Sequence, residues 1–311
     1  MDKISVCITV FNEEKGIKRV LTYLEKQIGL FEDLIIVSDA CVDKTDEIVN
    51  NWIKNLVNPK FTIKFFVRPE RLGRANAIRL GIYHSLHDIL IIFSGDIKPI
   101  GESFRNLINY FKDETIGAVT GHPILLNSLY SPADCLSRIM WSSHNNVGRI
   151  ETEKNTFFHL NGEMFGIRKS ALINFKGYDG LVEDAMLGWL IYKNGFKVVW
   201  SEKVVYYMKY PSSMMDWLKI RKRCCFGRVE LAKKGHIKHY PFYELNHIEY
   251  LVNILNVSKK HFRLMFVLPL GIFLELCCRL YYHFIYDKKK HVFSKQEMLS
   301  NLWIPSYETK W

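Results

Sequence analysis

A chain of 311 residues with 48% hydrophobic and 24% charged content buries a sizeable core, which excludes a disordered protein and a small disulfide-framed one. Its seven cysteines include the adjacent pairs Cys224-Cys225 and Cys277-Cys278 but no C-x-x-C, so neither disulfide nor zinc spacing is visible and a reducing cytoplasm suits them. The net charge of +11 is concentrated in residues 201–311, with 19 Lys and Arg against 9 Asp and Glu, and points to an anionic surface such as a membrane or nucleic acid.

Ile4 to Phe11 alternates as a first strand, with no basic region and apolar core before it, so no secretory signal is expected. Asn12-Glu13-Glu14 then opens a helix running to about Lys26. Leu34 to Ser38 reads as a second strand ending in Asp39-Ala40-Cys41-Val42-Asp43-Lys44-Thr45, followed by an amphipathic helix through Asn55. Phe61 to Val67 is a third strand; it leads into Arg71-Leu72-Gly73-Arg74 and a helix to about His84. Strands alternating with helices imply parallel β-α-β winding.

The fourth strand, Ile89 to Phe93, ends in Ser94-Gly95-Asp96 with Pro99 beyond it. A carboxylate at the carboxyl end of a buried strand lies where open α/β sheets place their ligands. Its oxygen suits a hard divalent cation that bridges to phosphates. Acids and arginines recur just after the other strand ends, which sets Asp96 apart from an ordinary turn residue.

Ile116 to Thr120 is a further strand, and residues 122–160 then show no strong period. His144 and His159, 15 apart in sequence, carry no partner motif and read as core or loop histidines. A helix is expected from about Lys169. Val182-Glu183-Asp184 heads another that ends near Asn194-Gly195, with a strand over Phe196 to Trp200. An Asp in the first turn of a helix is favoured by the helix dipole, but two adjacent acids also suit a general base with an orienting partner.

Ser212-Ser213 caps a helix carrying Lys219, Arg221, Lys222, Arg223, Arg228, Lys233 and Lys234 among apolar residues, a pattern expected of a helix lying on a membrane surface. Leu264 to Ile285 is the most apolar stretch. Its uninterrupted run is short, and Glu275, Arg279 and His283 form one polar stripe, with Glu275 positioned to pair with Arg279. An interfacial or partly inserted helix is expected, ahead of a single span or a core helix. The basic helix lacks an interleaved stacking module, so no nucleic-acid partner is expected.

The order of these blocks resembles a family 2 glycosyltransferase of the GT-A fold, over roughly residues 3–230. Thr9 to Glu13 resembles the first-strand motif at the nucleoside, and Asp39 the acid that reads the base. Arg71 and Arg74 resemble the loop cations near base and diphosphate, Ser94-Gly95-Asp96 stands where the family has Asp-x-Asp, and Asp184 resembles the catalytic base. Ser94 replaces the first acid, so metal binding rests on Asp96 with phosphates and water. Ile220 to Cys224 keeps an arginine of the synthase motif Gln-x-x-Arg-Trp but neither Gln nor Trp, which argues against a processive polymer synthase.

The resemblance implies an α/β GT-A protein with a Rossmann-like nucleotide-binding half (1–120), an acceptor-binding half of the same domain (121–210) and a helical membrane-associating extension (211–311). It implies an inverting transferase using a UDP- or GDP-sugar, with Mn2+ or Mg2+ as cofactor and a glycan or lipid-linked acceptor at the cytoplasmic face of a membrane. The expected donor contacts are Thr9, Glu13, Asp39, Arg71, Arg74, Ser94 and Asp96. Asn161, Gly162, Arg221 and Arg223 are expected at the acceptor or phosphate, and Glu183 and Asp184 at the chemistry. A non-catalytic nucleotide-sugar-binding protein remains open, as does a sugar-1-phosphate nucleotidyltransferase. The latter would want a glycine-rich, lysine-containing loop after the first strand, and Phe11-Asn12-Glu13-Glu14-Lys15 is not one.

Overall fold

The computed structural model describes residues 3–289 apart from 58, 157–159, 179, 235–251, 253, 258, 260 and 261, and describes side chains as far as 281. His159 and His283, singled out above, lie outside the residues so described.

Ile4–Val10 (β1), Asp33–Ser38 (β2), Thr62–Val67 (β3) and Ile89–Ser94 (β4) form the parallel half of the sheet in the order β3-β2-β1-β4. β1, β2 and β4 are buried almost throughout, and β3 is the more exposed edge. Burial on both faces is why the inner strands read as nearly continuous Ile, Leu and Val. Ile17–Glu25 (α1), Thr45–Asn55 (α2) and Arg74–His84 (α3) make the crossovers. Alternate residues feed two cores: Val6, Ile8 and Ile91 pack with α1, while Cys7, Ile35 and Ile92 pack with Ala77 and Ile78 of α3.

The first four strands are parallel, as expected, and beyond β4 the sheet is mixed. Met164–Arg168 (β7) runs antiparallel to both β4 and Ile116–Leu125 (β6). Lys197–Met208 (β8) runs parallel to β6, and the short Lys98–Pro99 (β5) closes antiparallel on β8. The full order is β3-β2-β1-β4-β7-β6-β8-β5. Strand direction here follows from long-range pairing, which local alternation does not encode. β6 runs through the expected boundary at 120, so both halves share one sheet. Ser103–Tyr110 (α4) supplies Phe104 and Leu107 to the β1 core.

Residues 122–160, without visible period, contain a 22-residue helix, Pro132–Glu153 (α5). Its start is a capping box: Ser131 Oγ accepts from the Asp134 N–H at 3.0 Å, and Asp134 Oδ2 accepts from the Ser131 N–H at 3.2 Å. Its buried face carries Asp134, Ser137, Ser143, Asn145 and Gly148 beside Leu136 and Ile139, so hydrophobicity does not mark its period. The helix expected from Lys169 is only a 3-10 turn, Lys169–Ala171, and the one expected at Asn12 starts at Ile17, after a turn in which Asn12 takes a left-handed φ of 54°.

Glu183–Lys193 (α6) is as expected. Met214–Lys233 (α7) is not a free surface helix, because Trp217, Ile220, Arg221, Cys225, Phe226, Val229 and Leu231 are buried. It packs against the last of the described helices, Phe262–Lys289 (α8), which also packs on α5.

Candidate active site

Parallel register brings the expected donor residues to one edge. Thr9 pairs with Ser94 and Val10 with Ser38, so Thr9, Asp39 and Asp96 all stand at the carboxyl ends of neighbouring strands. Asp39 is 4% exposed and its carboxylate ties the end of β2 to the following loop. Its Oδ1 accepts from Arg68 Nη1 and the Leu72 N–H, both at 3.0 Å, and its Oδ2 from the Gly73 N–H at 2.8 Å. Arg68, absent from the expected site, also donates to the Asn76 carbonyl at 3.0 Å and to Asn76 Oδ1 at 2.7 Å. This bracing presents Arg71, whose guanidinium lies 3.7 Å from the centroid of the Phe11 ring. Burial pulls the Arg71 pKa down to about 10, with Asp39 opposing and Arg223 adding to the fall; it stays cationic at neutral pH.

At the end of β4 the chain turns sharply. Ser94 Oγ donates to Asp96 Oδ1 at 2.6 Å, the Ser94 N–H donates to the Glu163 carbonyl at 2.8 Å, and the Gly95 N–H to the Thr9 carbonyl at 3.2 Å. Ser94 therefore orients the carboxylate that the Asp-x-Asp comparison assigned to metal. Glu13 is buried, its N–H donating to Thr45 Oγ1 at 2.7 Å. Arg19 of α1, absent from the expected site, lies within electrostatic range of Asp96 and Glu13; burial lowers its pKa and both acids oppose the fall. Among the described residues no group of three or more His, Cys, Asp or Glu is placed to hold a metal ion. Asp96 supplies one hard oxygen donor, a set that fits Mg2+ or Mn2+ when diphosphate oxygens and water complete the shell.

The other wall is organised by Arg74. Its Nε donates to Thr9 Oγ1 at 3.3 Å, its Nη1 to Glu183 Oε1 at 2.6 Å, and its Nη2 to the Gly162 carbonyl. Arg74, expected as a donor ligand, thus joins the β1 edge to the first turn of α6 and to the 161–163 loop. Gly162 leaves room for this approach: a Cβ there would stand 2.7 Å from Arg74 Nη1 and 3.0 Å from Asp184 Oδ2, so the tips of both side chains would have to move. Asn161 is buried and holds the loop, with its N–H on Thr120 Oγ1 at 2.9 Å and its Nδ2 on the Gly121 carbonyl at 2.7 Å. His144 of α5 hydrogen-bonds Asn161 Oδ1. Burial, against the Asn161 bond and with Arg228 and Arg221 nearby, drives its pKa down to about 4, so the ring is neutral. His144 is a positioning residue of this loop, consistent with the core reading.

Asp184 is partly buried beside this cluster, and its pKa is raised from the ordinary 3.8 to about 7. Burial is the largest cause. Glu183 and Glu163 add to it, and Arg74 and the Ala185 N–H at 2.8 Å oppose it. A carboxylate with that pKa is suited to accept a proton near neutral pH. Glu163, absent from the expected site, directly follows Asn161-Gly162 in the same loop.

α7 splits the expected phosphate ligands. Arg221 is not available to a phosphate: it is 7% exposed and donates through Nε and Nη2 to Glu275 of α8 at 2.9 and 2.7 Å. The expected Glu275–Arg279 pair is also present, at 2.8 Å, so one carboxylate holds two arginines. Sequence spacing showed only the partner on the same helix. Arg223, two residues on, is instead close enough to Arg71 for their charges to interact. Gly227 lets α7 approach the turn before α6, since a Cβ there would lie 2.8 and 2.9 Å from the two methyls of Val182.

The glycosyl transferase family 2 model matches residues 5–175, and the chain belongs to that family. It is 24% identical over 268 residues to the poly-beta-1,6-N-acetyl-D-glucosamine synthase of Staphylococcus aureus strain COL, covering 82% of this chain and 62% of the relative. It is 22% identical over 238 residues to the synthase of the same name from Staphylococcus epidermidis, covering 74% and 56%. The chain thus spans about three fifths of the length of these curated relatives. Among solved structures it resembles a Pyrobaculum calidifontis mannosyltransferase in complex with GDP-Man and Mn2+, with a TM-score of 0.63 and 19% identity over 97% of this chain and 87% of that one. A Mycobacterium tuberculosis glucosyl-3-phosphoglycerate synthase in complex with Mn2+, UDP and glucosyl-3-phosphoglycerate aligns with a TM-score of 0.52 and 16% identity, over 78% and 82% of the two chains. The fold is that of GT-A glycosyltransferases.

Proposed function

We propose that this family 2 member is an inverting glycosyltransferase that moves a sugar from a UDP- or GDP-sugar to a hydroxyl or lipid-phosphate acceptor at a membrane surface. One observation carries the reading: Asp184, with its pKa near 7, directly follows Glu183, which Arg74 joins to Thr9 on the strand edge that also bears Ser94 and Asp96. A general base thereby faces a nucleotide-binding edge.

The loop braced by Asp39 and Arg68 meets the base and ribose, and Arg71 with Arg223 meets the diphosphate. Asp96, oriented by Ser94, is the residue that would hold Mn2+ or Mg2+, and such a cation supplies positive charge against the departing diphosphate. Asp184 accepts the proton of an acceptor hydroxyl as its oxygen bonds to the anomeric carbon. The bond from that carbon to the diphosphate oxygen breaks on the opposite face, so configuration inverts without a glycosyl-enzyme intermediate. Glu183 stays on Arg74, which keeps the two neighbouring acids apart in role.

Processive synthesis is disfavoured by Ile220 and Cys224 standing where the Gln and Trp of the synthase motif would be. The membrane setting is supported by α8, whose segment Phe262–Tyr281 is long and apolar enough to cross a bilayer, with mean hydropathy 1.8.

Calorimetric titration with UDP and with GDP, each with and without Mn2+, tests the donor edge; metal-dependent binding of one nucleotide is expected. Asp184→Asn should retain that binding and lose transfer. Full turnover in this variant would remove the assigned base, and no nucleotide binding at all would favour a different function for the edge.

A further inference from the structure

α8 has two apolar faces with different fates. Leu264, Leu268, Gly271, Glu275 and Cys278 recur at helical spacing and turn inward. Leu264 and Leu268 cluster with Cys135 and Ile139 of α5, Gly271 abuts Leu136, and Cys278 joins Cys225, Phe226 and Val229 of α7. Between them, Glu275 receives Arg221 of α7 and Arg279 of its own helix. From Leu264 to Cys278 is about 21 Å of helix at 1.5 Å per residue, and the inner stripe is attached to the folded domain over that length.

The outer face is apolar and exposed among the described residues. Phe262 is 74% exposed, Phe266 69% and Phe273 63%, with Met265, Leu270, Leu276 and Leu280 also exposed. At its amino-terminal end Tyr130 is 85% exposed, and the Arg263 guanidinium sits 5.9 Å from the Tyr130 ring and donates to the Leu129 carbonyl at 3.3 Å. An aromatic and a cation at the rim of an apolar stripe match the interfacial layer of a bilayer, and the exposed Lys259 adds a second cation there.

Length and hydropathy alone would allow α8 to cross the membrane. The inner stripe argues otherwise. Crossing would either detach Glu275 from Arg221 and leave it with Arg279 in hydrocarbon, or draw α7 with Lys219, Lys222 and Arg228 in behind them. We propose that α8 lies lengthwise in one leaflet, with Phe262, Phe266, Phe273 and Leu280 in the acyl boundary and both of its ends on the catalytic side. The occupant of the apolar face is lipid with anionic headgroups. This inference rests on the membrane-surface reading above and specifies its geometry.

Two measurements on the full chain test it. In flotation with vesicles of phosphatidylcholine and phosphatidylglycerol, the wild-type chain should bind, and more weakly when phosphatidylglycerol is omitted. The double variant Phe266→Glu with Phe273→Glu should bind at least roughly tenfold more weakly, with nucleotide binding and unfolding temperature unchanged. In inverted membrane vesicles from cells expressing the chain with a C-terminal epitope tag, external protease should remove the tag as readily as it digests the catalytic domain. Binding with a protected tag would establish a span and overturn the in-plane geometry alone. No vesicle binding by the wild type would overturn the membrane reading and this inference with it, while wild-type affinity in the double variant would show that another surface makes the contact.

Discussion

Arg74→Ala removes the group that joins the two walls of the site. The guanidinium donates to Glu183 Oε1 at 2.6 Å, to Thr9 Oγ1 at 3.3 Å and to the Gly162 carbonyl. The Arg74 and Glu183 side chains are only 12% and 9% exposed, so the truncation leaves a carboxylate facing little water. Breaking such a pair from one side costs about 3–5 kcal/mol. For a chain of this size that is a drop in Tm of roughly 5–8 °C. Neutralising both partners, as Arg74→Met with Glu183→Gln, should recover most of the loss, because no unpaired charge remains. Arg74 also opposes the rise in the Asp184 pKa, so its removal should shift the acid limb of the transfer rate to higher pH. Urea unfolding of the single and double variants, with pH–rate profiles, reads both effects. A cost for Arg74→Ala below about 1 kcal/mol, the size of an exposed pair, would refute the buried clamp. So would an acid limb that moves to lower pH.

Three further outcomes follow from Asp184 and its surroundings. With a folded pKa of about 7 against an ordinary 3.8, the proposed base Asp184 is mostly protonated below neutrality, so transfer should fall about tenfold per pH unit well below pH 7; a flat profile down to pH 5 would refute its assignment as the base. The same shift bears on stability. Because the folded state holds this proton more tightly than the unfolded chain, Asp184 costs stability as pH rises from about 4 to 7, so Asp184→Asn should gain relative to wild type at pH 8 and not at pH 4. Gly162→Ala should lower turnover roughly 10- to 100-fold while nucleotide affinity holds, since the added methyl meets Arg74 and Asp184 and not the Asp39 loop; unchanged turnover would place the reacting atoms elsewhere.

Much of the site was legible because its residues sit at the ends of strongly patterned strands. Asp39 and Asp96 follow runs of buried Ile, Leu and Val, and Asp184 opens a helix after a loop, so position and chemistry coincide locally. Roles were less legible than positions. Arg74 and Arg221 both read as cations for phosphate, yet Arg74 binds Glu183, 109 residues away in sequence, and Arg221 binds Glu275, 54 residues away. Neither separation leaves a trace in local spacing. Glu163 and Arg19 were passed over for a related reason, since each becomes part of the site only when an adjacent segment folds beside it.

The amino-acid sequence by itself determined the parallel half of the sheet, the order of its crossover helices, and the set of acids and arginines at the strand ends. Alternation, continuous burial and turn chemistry are local properties and survive in one dimension. Tertiary structure alone decided the antiparallel insertion of β7 between β4 and β6, the long helix α5 whose buried face is rich in small and polar residues, and the burial of α7. It also decided which face of α8 is inward. That choice turns on Glu275 meeting Arg221 across two helices, and a pairing between distant segments has no period to read.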